Sequence, residues 1–259
     1  MRLPALALLP AIVWAGVACG QSAGSPDEKS PAAQGCIAYS FMADSLVSSV
    51  KADSLRVSAF PADSIPDADK ADRYSKLTDE DFRIVAEELG VEIAAIKAVV
   101  LIEAGKQMKG FFAPGVPVVN FDNSMYRKCI AKAKGCKGDK GAKVPQGLSG
   151  YALREWTQLT NARRKNSDAA NMGTFWGMFQ IGGFNYKFCG CKDVDEMVRL
   201  MSQSEFSQLE LFAKFITNAG MLPDLKAKNW AGFARKYNGA SYARRGYHTR
   251  MAAAYRKFK

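Results

Sequence analysis

IKAVVLIEAGKQMKGFF, residues 96–112, reads as the end of an apolar helix, a single carboxylate and then a glycine turn. Ile93, Ile96 and Val100 are three or four residues apart and share one helix face, and Glu103 falls three further on, on the same face. A carboxylate there either ends the helix at the surface or is held where water is scarce. Desolvation raises a carboxyl pKa, and an acid still protonated near neutral pH is what glycosidic bond cleavage needs.

Working outward, the spacing predicts a helical domain. Thr78-Asp79-Glu80-Asp81 has the form of a capping box, followed by the stripe Phe82, Val85, Ala86, Leu89 and a stop at Gly90. A second helix is expected over Glu92–Ile102. Glycines and prolines between Gly105 and Pro117 mark a loop, and Val116–Phe121 is a short β-like run ending at Asp122. Arg127–Lys143 (RKCIAKAKGCKGDKGAK) reads as a basic, glycine-containing loop, either solvated or in contact with an anionic polymer. Helices are expected over Tyr151–Arg164, Ser167–Gly173, Asp193–Met201, Ser204–Asn218, Trp230–Tyr237 and Tyr247–Phe258, with Trp176–Ile181 apolar between them. The fold class expected is mainly α, with at most a small β element, over residues 77–259.

The N-terminus points to export. Arg2 precedes the apolar run Leu3–Val17, too short to span a membrane and laid out like a secretory signal. Cys19 after Gly16-Val17-Ala18 resembles a lipoprotein signal (1–18) with Cys19 as the lipidated first residue; ordinary cleavage near Ala18 is the alternative. Residues 19–76 are rich in Ser, Ala, Asp and Pro, with Ala-Asp-Ser-(Leu/Ile) recurring at 43, 52 and 62. So few apolar residues cannot repay ordering entropy, so this segment is expected to be a flexible tether.

Of six cysteines, Cys129, Cys136, Cys189 and Cys191 are expected to form disulfides in an oxidising compartment, with a structural zinc as the alternative; Cys36 is left over. Charge is uneven: residues 20–76 are net −2 and residues 77–259 net +12. That balance fits a polyanionic partner, and export makes a cell-wall polymer or anionic lipid a nearer partner than nucleic acid. With one histidine, His248, placed in a polar stretch and expected at the surface, a multi-histidine zinc hydrolase is excluded. No phosphate-cradling glycine loop is present. Carboxylate chemistry remains, and no cofactor is called for.

Three marks occur in order: Ile102-Glu103-Ala104-Gly105, Gly177-Met178-Phe179-Gln180-Ile181 and Tyr237-Asn238-Gly239. Together they resemble the goose-lysozyme and lytic-transglycosylase pattern E-S-x-G, G-x-x-Q-I, Y-N-x-G. The opening LTDEDFRIVAEELGVEIAAIKAVVLIEAG, the later WGMFQI and the closing WAGFARKYNGASY are similar to the N-acetylmuramidase domain of phage endolysins. The resemblance covers Leu77–Lys259 and implies a lysozyme-like, monomeric enzyme acting on peptidoglycan. It implies that Glu103 is the general acid at the bond between N-acetylmuramic acid and N-acetylglucosamine. It implies Gln180 lining the cleft near the sugar, Tyr237 and Asn238 hydrogen-bonding around the acid or the acetamido group, and Asp122 as second carboxylate. Ala104 replaces the Ser of the broader pattern, and Asp122 stands where related muramidases often carry Glu. A lytic transglycosylase giving 1,6-anhydro products and an inactive peptidoglycan-binding module are the rival readings.

Overall fold

The computed structural model describes Tyr74 and residues 76–105, 108–133 and 137–259. The expected signal segment, Cys19, Cys36 and nearly all of the tether lie outside the described residues. The described part is mainly helical, with two small antiparallel sheets, as the sequence leads one to expect. No helix in it is long and apolar enough to cross a membrane.

Helix α1 (Asp79–Leu89) starts with the full capping box: Thr78 Oγ1 accepts from Asp81 N–H at 3.2 Å, and Asp81 accepts from Thr78 N–H at 2.6 Å. Gly90, at φ 62°, closes the helix in the left-handed conformation. Helix α2 (Ile93–Glu103) begins one residue later than expected, with Ile93 left exposed at 39 %. The rest of its length is buried nearly all round, because α1 lies on one side and the C-terminal helix α10 (Tyr247–Phe258) lies along another. A helix apolar on every face belongs in the centre of a fold.

After α2 the chain forms the hairpin β1 (Phe111–Ala113)–β2 (Val116–Pro117), then strand β3 (Val119–Phe121). Strands β4 (Thr174–Trp176) and β5 (Ile181–Gly182) complete a three-stranded sheet in the order β3-β4-β5, with Val119 opposite Trp176 and Trp176 opposite Ile181. Residues Arg127–Lys132 are helical rather than loop. Asp122 caps α3 (Asn123–Lys132), whose apolar stripe is too thin to signal a helix, since Tyr126 is its one buried residue. The rest of the basic segment is docked: Asp139 N–H donates to Arg163 O at 2.9 Å, and Ser167 N–H donates to Lys137 O at 2.8 Å.

The expected disulfides are absent among the described residues: Cys129, Cys189 and Cys191 are free, and Cys136 lies outside them. Cys189 and Cys191 stand two apart in one turn and are buried in the core as small apolar side chains. Among the described residues no group of three His, Cys, Asp or Glu is placed to hold a metal.

Helix α4 (Gly150–Arg163) packs on β3, and α5 (Ser167–Met172) packs on β4 and against both α3 and α4. Then come α6 (Val194–Met201), α7 (Glu205–Asn218), a short α8 (Leu222–Lys226) that the sequence reading did not anticipate, and α9 (Trp230–Asn238). Arg163 is sandwiched at 5.4 Å from both the Trp156 and Trp176 rings, and its Nε donates to Asn171. Phe212 of α7 is fully buried, stacked on Phe179 at 4.3 Å and edge-on to Tyr237 at 5.7 Å. It thereby joins the β4–β5 turn to α9. Phe212→Ala is expected to cost about 3–5 kcal/mol in urea unfolding, by lost burial and by the cavity left between those two elements.

Candidate active site

Glu103 is the last residue of α2, and its side chain is 8 % exposed. Its position on the helix's core-facing side puts it there, as the spacing predicts. Burial pushes its pKa up to about 7, opposed by a hydrogen bond from Asn238 and by the Arg250 guanidinium. Asn238 Nδ2 donates to Glu103 Oε1 at 2.9 Å, while Asn238 Oδ1 is buried without a hydrogen-bond partner. Ala104, where the broader pattern has Ser, is itself buried in the core. No hydroxyl is there to steer the acid, and Asn238 takes that task.

Asn238 ends α9, and Gly239 turns the chain at φ 72°, ψ −169°, a region that only glycine enters without strain. Tyr237, one residue earlier, is 4 % exposed and donates its hydroxyl to Phe179 O at 2.8 Å. It is a buried aromatic fastening α9 to the β4–β5 turn, rather than a group open to a sugar. Within that turn Gln180 sits at φ 50°, with its side-chain Nε2 donating to Gly177 O at 2.8 Å. A non-glycine residue held left-handed is strain that the surrounding contacts must maintain.

Sequence reasoning missed what holds these pieces together. Gln208 on α7 is fully buried and bonds three separate segments. Its Oε1 accepts from Met178 N–H at 2.8 Å, and its Nε2 donates to Gly110 O at 3.1 Å and Met201 O at 2.9 Å. Glu205, one turn earlier, accepts from Gly110 N–H at 2.8 Å. Added β-carbons at Gly110 and Gly177 would come within 2.5 and 2.7 Å of Gln208 Oε1, so both must be glycine. The signal was the one read at Glu103: a polar residue on a core face, here four before Phe212.

The structure thus brings together Glu103, Asn238 and the Phe179–Gln180 turn, with Tyr237 behind them. Asp122 stands at the far end of the β3–β4 ladder from Gly177. Asp122 N–H donates to Gly173 O at one end of the β3–β4 ladder, while Gly177 N–H donates to Val118 O at the other. Four residues of strand separate those ends, roughly 13 Å. Asp122 Oδ1 accepts from Met125 N–H as the cap of α3, and no hydrogen bond among the described residues joins it to Glu103. Beside it, buried Glu155 of α4 accepts from Phe121 N–H at 3.0 Å and pins the end of β3. His248 is half-buried and edge-on to Tyr242, rather than a free surface residue.

The profile of the N-acetylmuramidase (Muramidase) family matches residues 92–259. The chain belongs to the N-acetylmuramidase family. Among solved structures it is similar to the crystal structure of a Burkholderia AP3 phage endolysin, at 36 % identity and a TM-score of 0.59, over 71 % of this chain and 70 % of that one. No curated protein matches it. This N-acetylmuramidase is a glycoside hydrolase of the lysozyme type, acting on peptidoglycan.

The folded-state pKa of Glu103, about 7, lies above its ordinary value of 4.5. Between those pH values the folded protein keeps a proton that the unfolded chain has released, so stability falls as pH rises through that window. Glu103→Gln removes this dependence. Relative to wild type, the variant is expected to gain about 3 kcal/mol of unfolding free energy between about pH 4 and pH 8. Denaturant titrations at the two pH values measure the gain.

Proposed function

We propose that this enzyme cleaves the β-1,4 bond between N-acetylmuramic acid and N-acetylglucosamine, with Glu103 as general acid. The observation that carries the reading is a single carboxyl buried at the end of an apolar helix, raised to about 7 and held by Asn238 Nδ2. Protonated near neutral pH, Glu103 delivers its proton to the glycosidic oxygen as the bond breaks. The carboxylate that develops is met by the Asn238 N–H and the nearby Arg250 charge, both of which favour the ionised form. Asn238 Oδ1 is an unpaired acceptor buried beside the acid, which an acetamido N–H of the sugar would satisfy on entering the site. Gln180, one of whose two amide N–H groups is used on Gly177 O, keeps its carbonyl oxygen and its second N–H for the same sugar.

Asp122 is the second carboxylate in this reading, acting as a base on water. Its Oδ1 serves the cap and its Oδ2 has no protein partner among the described residues. Export and a lipid anchor at Cys19 complete the proposal. A tether of some fifty residues, with an r.m.s. span of roughly 40 Å, would let a membrane-bound monomer reach the wall.

Digestion of purified peptidoglycan by the full chain, wild type beside Glu103→Gln, with mass analysis of the products, tests this. Reducing N-acetylmuramic acid ends from wild type alone are expected. Anhydro ends would make it a lytic transglycosylase, and binding without products from wild type would leave a wall-binding module. The kcat/KM of the wild type should fall about tenfold per pH unit above roughly 7, as Glu103 loses its proton. Asp122→Asn, which keeps a good cap residue, should lower kcat about 100-fold with little change in melting temperature. An unchanged kcat would remove Asp122 from the mechanism.

A further inference from the structure

Ser241–Arg250, SYARRGYHTR, follows the Asn238-Gly239 turn directly and leads into α10, which lies along the Glu103 helix. Arg244, Arg245 and Arg250 are all exposed. None of them is in an ion pair; the arginines paired with carboxylates among the described residues are Arg83, Arg154 and Arg199. Three unpaired guanidinium groups within seven residues repel one another, an arrangement that an anionic ligand relieves. The backbone of the segment and the Arg250 side chain are held in place. Gly246, at φ 64°, makes the turn that sets Arg244 and Arg245 just ahead of α10, and Arg250 lies over the Tyr247 ring at 5.7 Å. Tyr242 packs edge-on against His248 at 5.4 Å and braces the same turn. Tyr255, near the end of α10, donates its hydroxyl to Glu92 just ahead of α2, so α10 runs antiparallel along α2 and its first turn, with Arg250, lies toward the Glu103 end, where the Arg250 charge acts on that carboxyl.

A glycan built from N-acetylglucosamine alone carries no charge for such a cluster to meet. Muramic acid differs by its 3-O-lactyl substituent, which is a carboxylate when bare and becomes an amide when a stem peptide is attached, the peptide then supplying carboxylates of its own. Planar guanidinium forks match carboxylates in geometry as well as in charge. Resting on the muramidase reading above, we propose that Arg244, Arg245 and Arg250 form a subsite for the carboxylate-bearing 3-O substituent of the muramic acid next to the scissile bond. The arginines then select peptidoglycan over neutral amino-sugar polymers and set the register of the strand, so that the muramic acid side of a bond is the one presented to Glu103.

Steady-state hydrolysis of peptide-bearing glycan and of the same strands stripped by an amidase tests the subsite. The full chain is compared with its Arg244→Gln/Arg245→Gln form. Loss of two charge-assisted contacts is expected to raise KM about tenfold or more on peptide-bearing glycan, with kcat changed less than about twofold. An equal rise on stripped strands shows a subsite that takes either the free lactyl carboxylate, exposed only there, or a stem-peptide carboxylate in its place, and a rise on peptide-bearing glycan alone identifies the stem peptide. The Lys/Lys form should restore much of the loss, and about 0.3 M salt should weaken wild type more than the Gln/Gln form. Unchanged KM on both substrates, or a fall in kcat alone, overturns the subsite. Wild type inactive on both substrates would instead overturn the muramidase reading on which it rests.

Discussion

One carboxamide sets the geometry on which the site depends. Gln208 is buried without a charge, and it satisfies backbone groups from the loop after α2, the β4–β5 turn and the end of α6. Two of these segments are irregular at the point of contact and the third is a helix C-terminus, so none can close these hydrogen bonds internally. Leaving any of these groups unpaired in the core costs about 1–3 kcal/mol each. Gln208 removes that cost at three places at once, and in doing so fixes the distance between the Glu103 loop and the Gln180 turn. The glycines at 110 and 177 follow from it, because the carboxamide occupies the space a β-carbon would need.

Glu103 occupies the opposite position in the energetics. Its burial destabilises the fold above the ordinary carboxyl pKa, and Asn238 and Arg250 offset only part of that. The compensation is spread over packing that is indifferent to pH: α2 enclosed by α1 and α10, Phe212 stacked on Phe179, and Tyr237 parallel to Phe233. An acid that stays protonated near pH 7 thus requires a rigid apolar frame behind it. The frame also supplies the orienting group, since Tyr237 anchors α9 and Asn238 is the next residue.

Much of this was legible in the chain because local chemistry and global packing agree. The capping box at Thr78, the stripe through Leu89 and the stop at Gly90 are local signals that the fold keeps. Glu103 was visible for the same reason: a polar residue in register with Ile96 and Val100 stands out against a strong period. Helix α3 was hidden because its buried face amounts to Tyr126, so basic surface residues dominated the pattern. Gln208 obeys the rule that exposed Glu103, yet a glutamine near a capped N-terminus reads as surface. The cysteines misled because compartment was taken to decide their pairing, whereas Cys189 and Cys191 are packed as apolar side chains within one turn. Tyr237 and Asn238, adjacent in sequence, were expected to share a role. Helix geometry turns successive side chains by 100°, which sends one into the core and the other to the acid.

The basic character of the domain acquires a location from the same geometry. Positive charge on the docked Lys137–Lys143 segment and on α3 is spread over exposed surface, where salt screens it within about 10 Å. Near Glu103 the situation differs. A charge acting on a buried carboxyl works through a medium of lower effective dielectric, so a single arginine counts for more there than several lysines elsewhere. Arg250 sits at that boundary, exposed to solvent on one side and within reach of the acid on the other. Net charge alone would have pointed to any polyanion. What narrows it is that Arg250, outside every ion pair among the described residues, acts on the buried Glu103 carboxyl, and under the proposed reading this ties recognition of an acidic polymer to the bond that is cut.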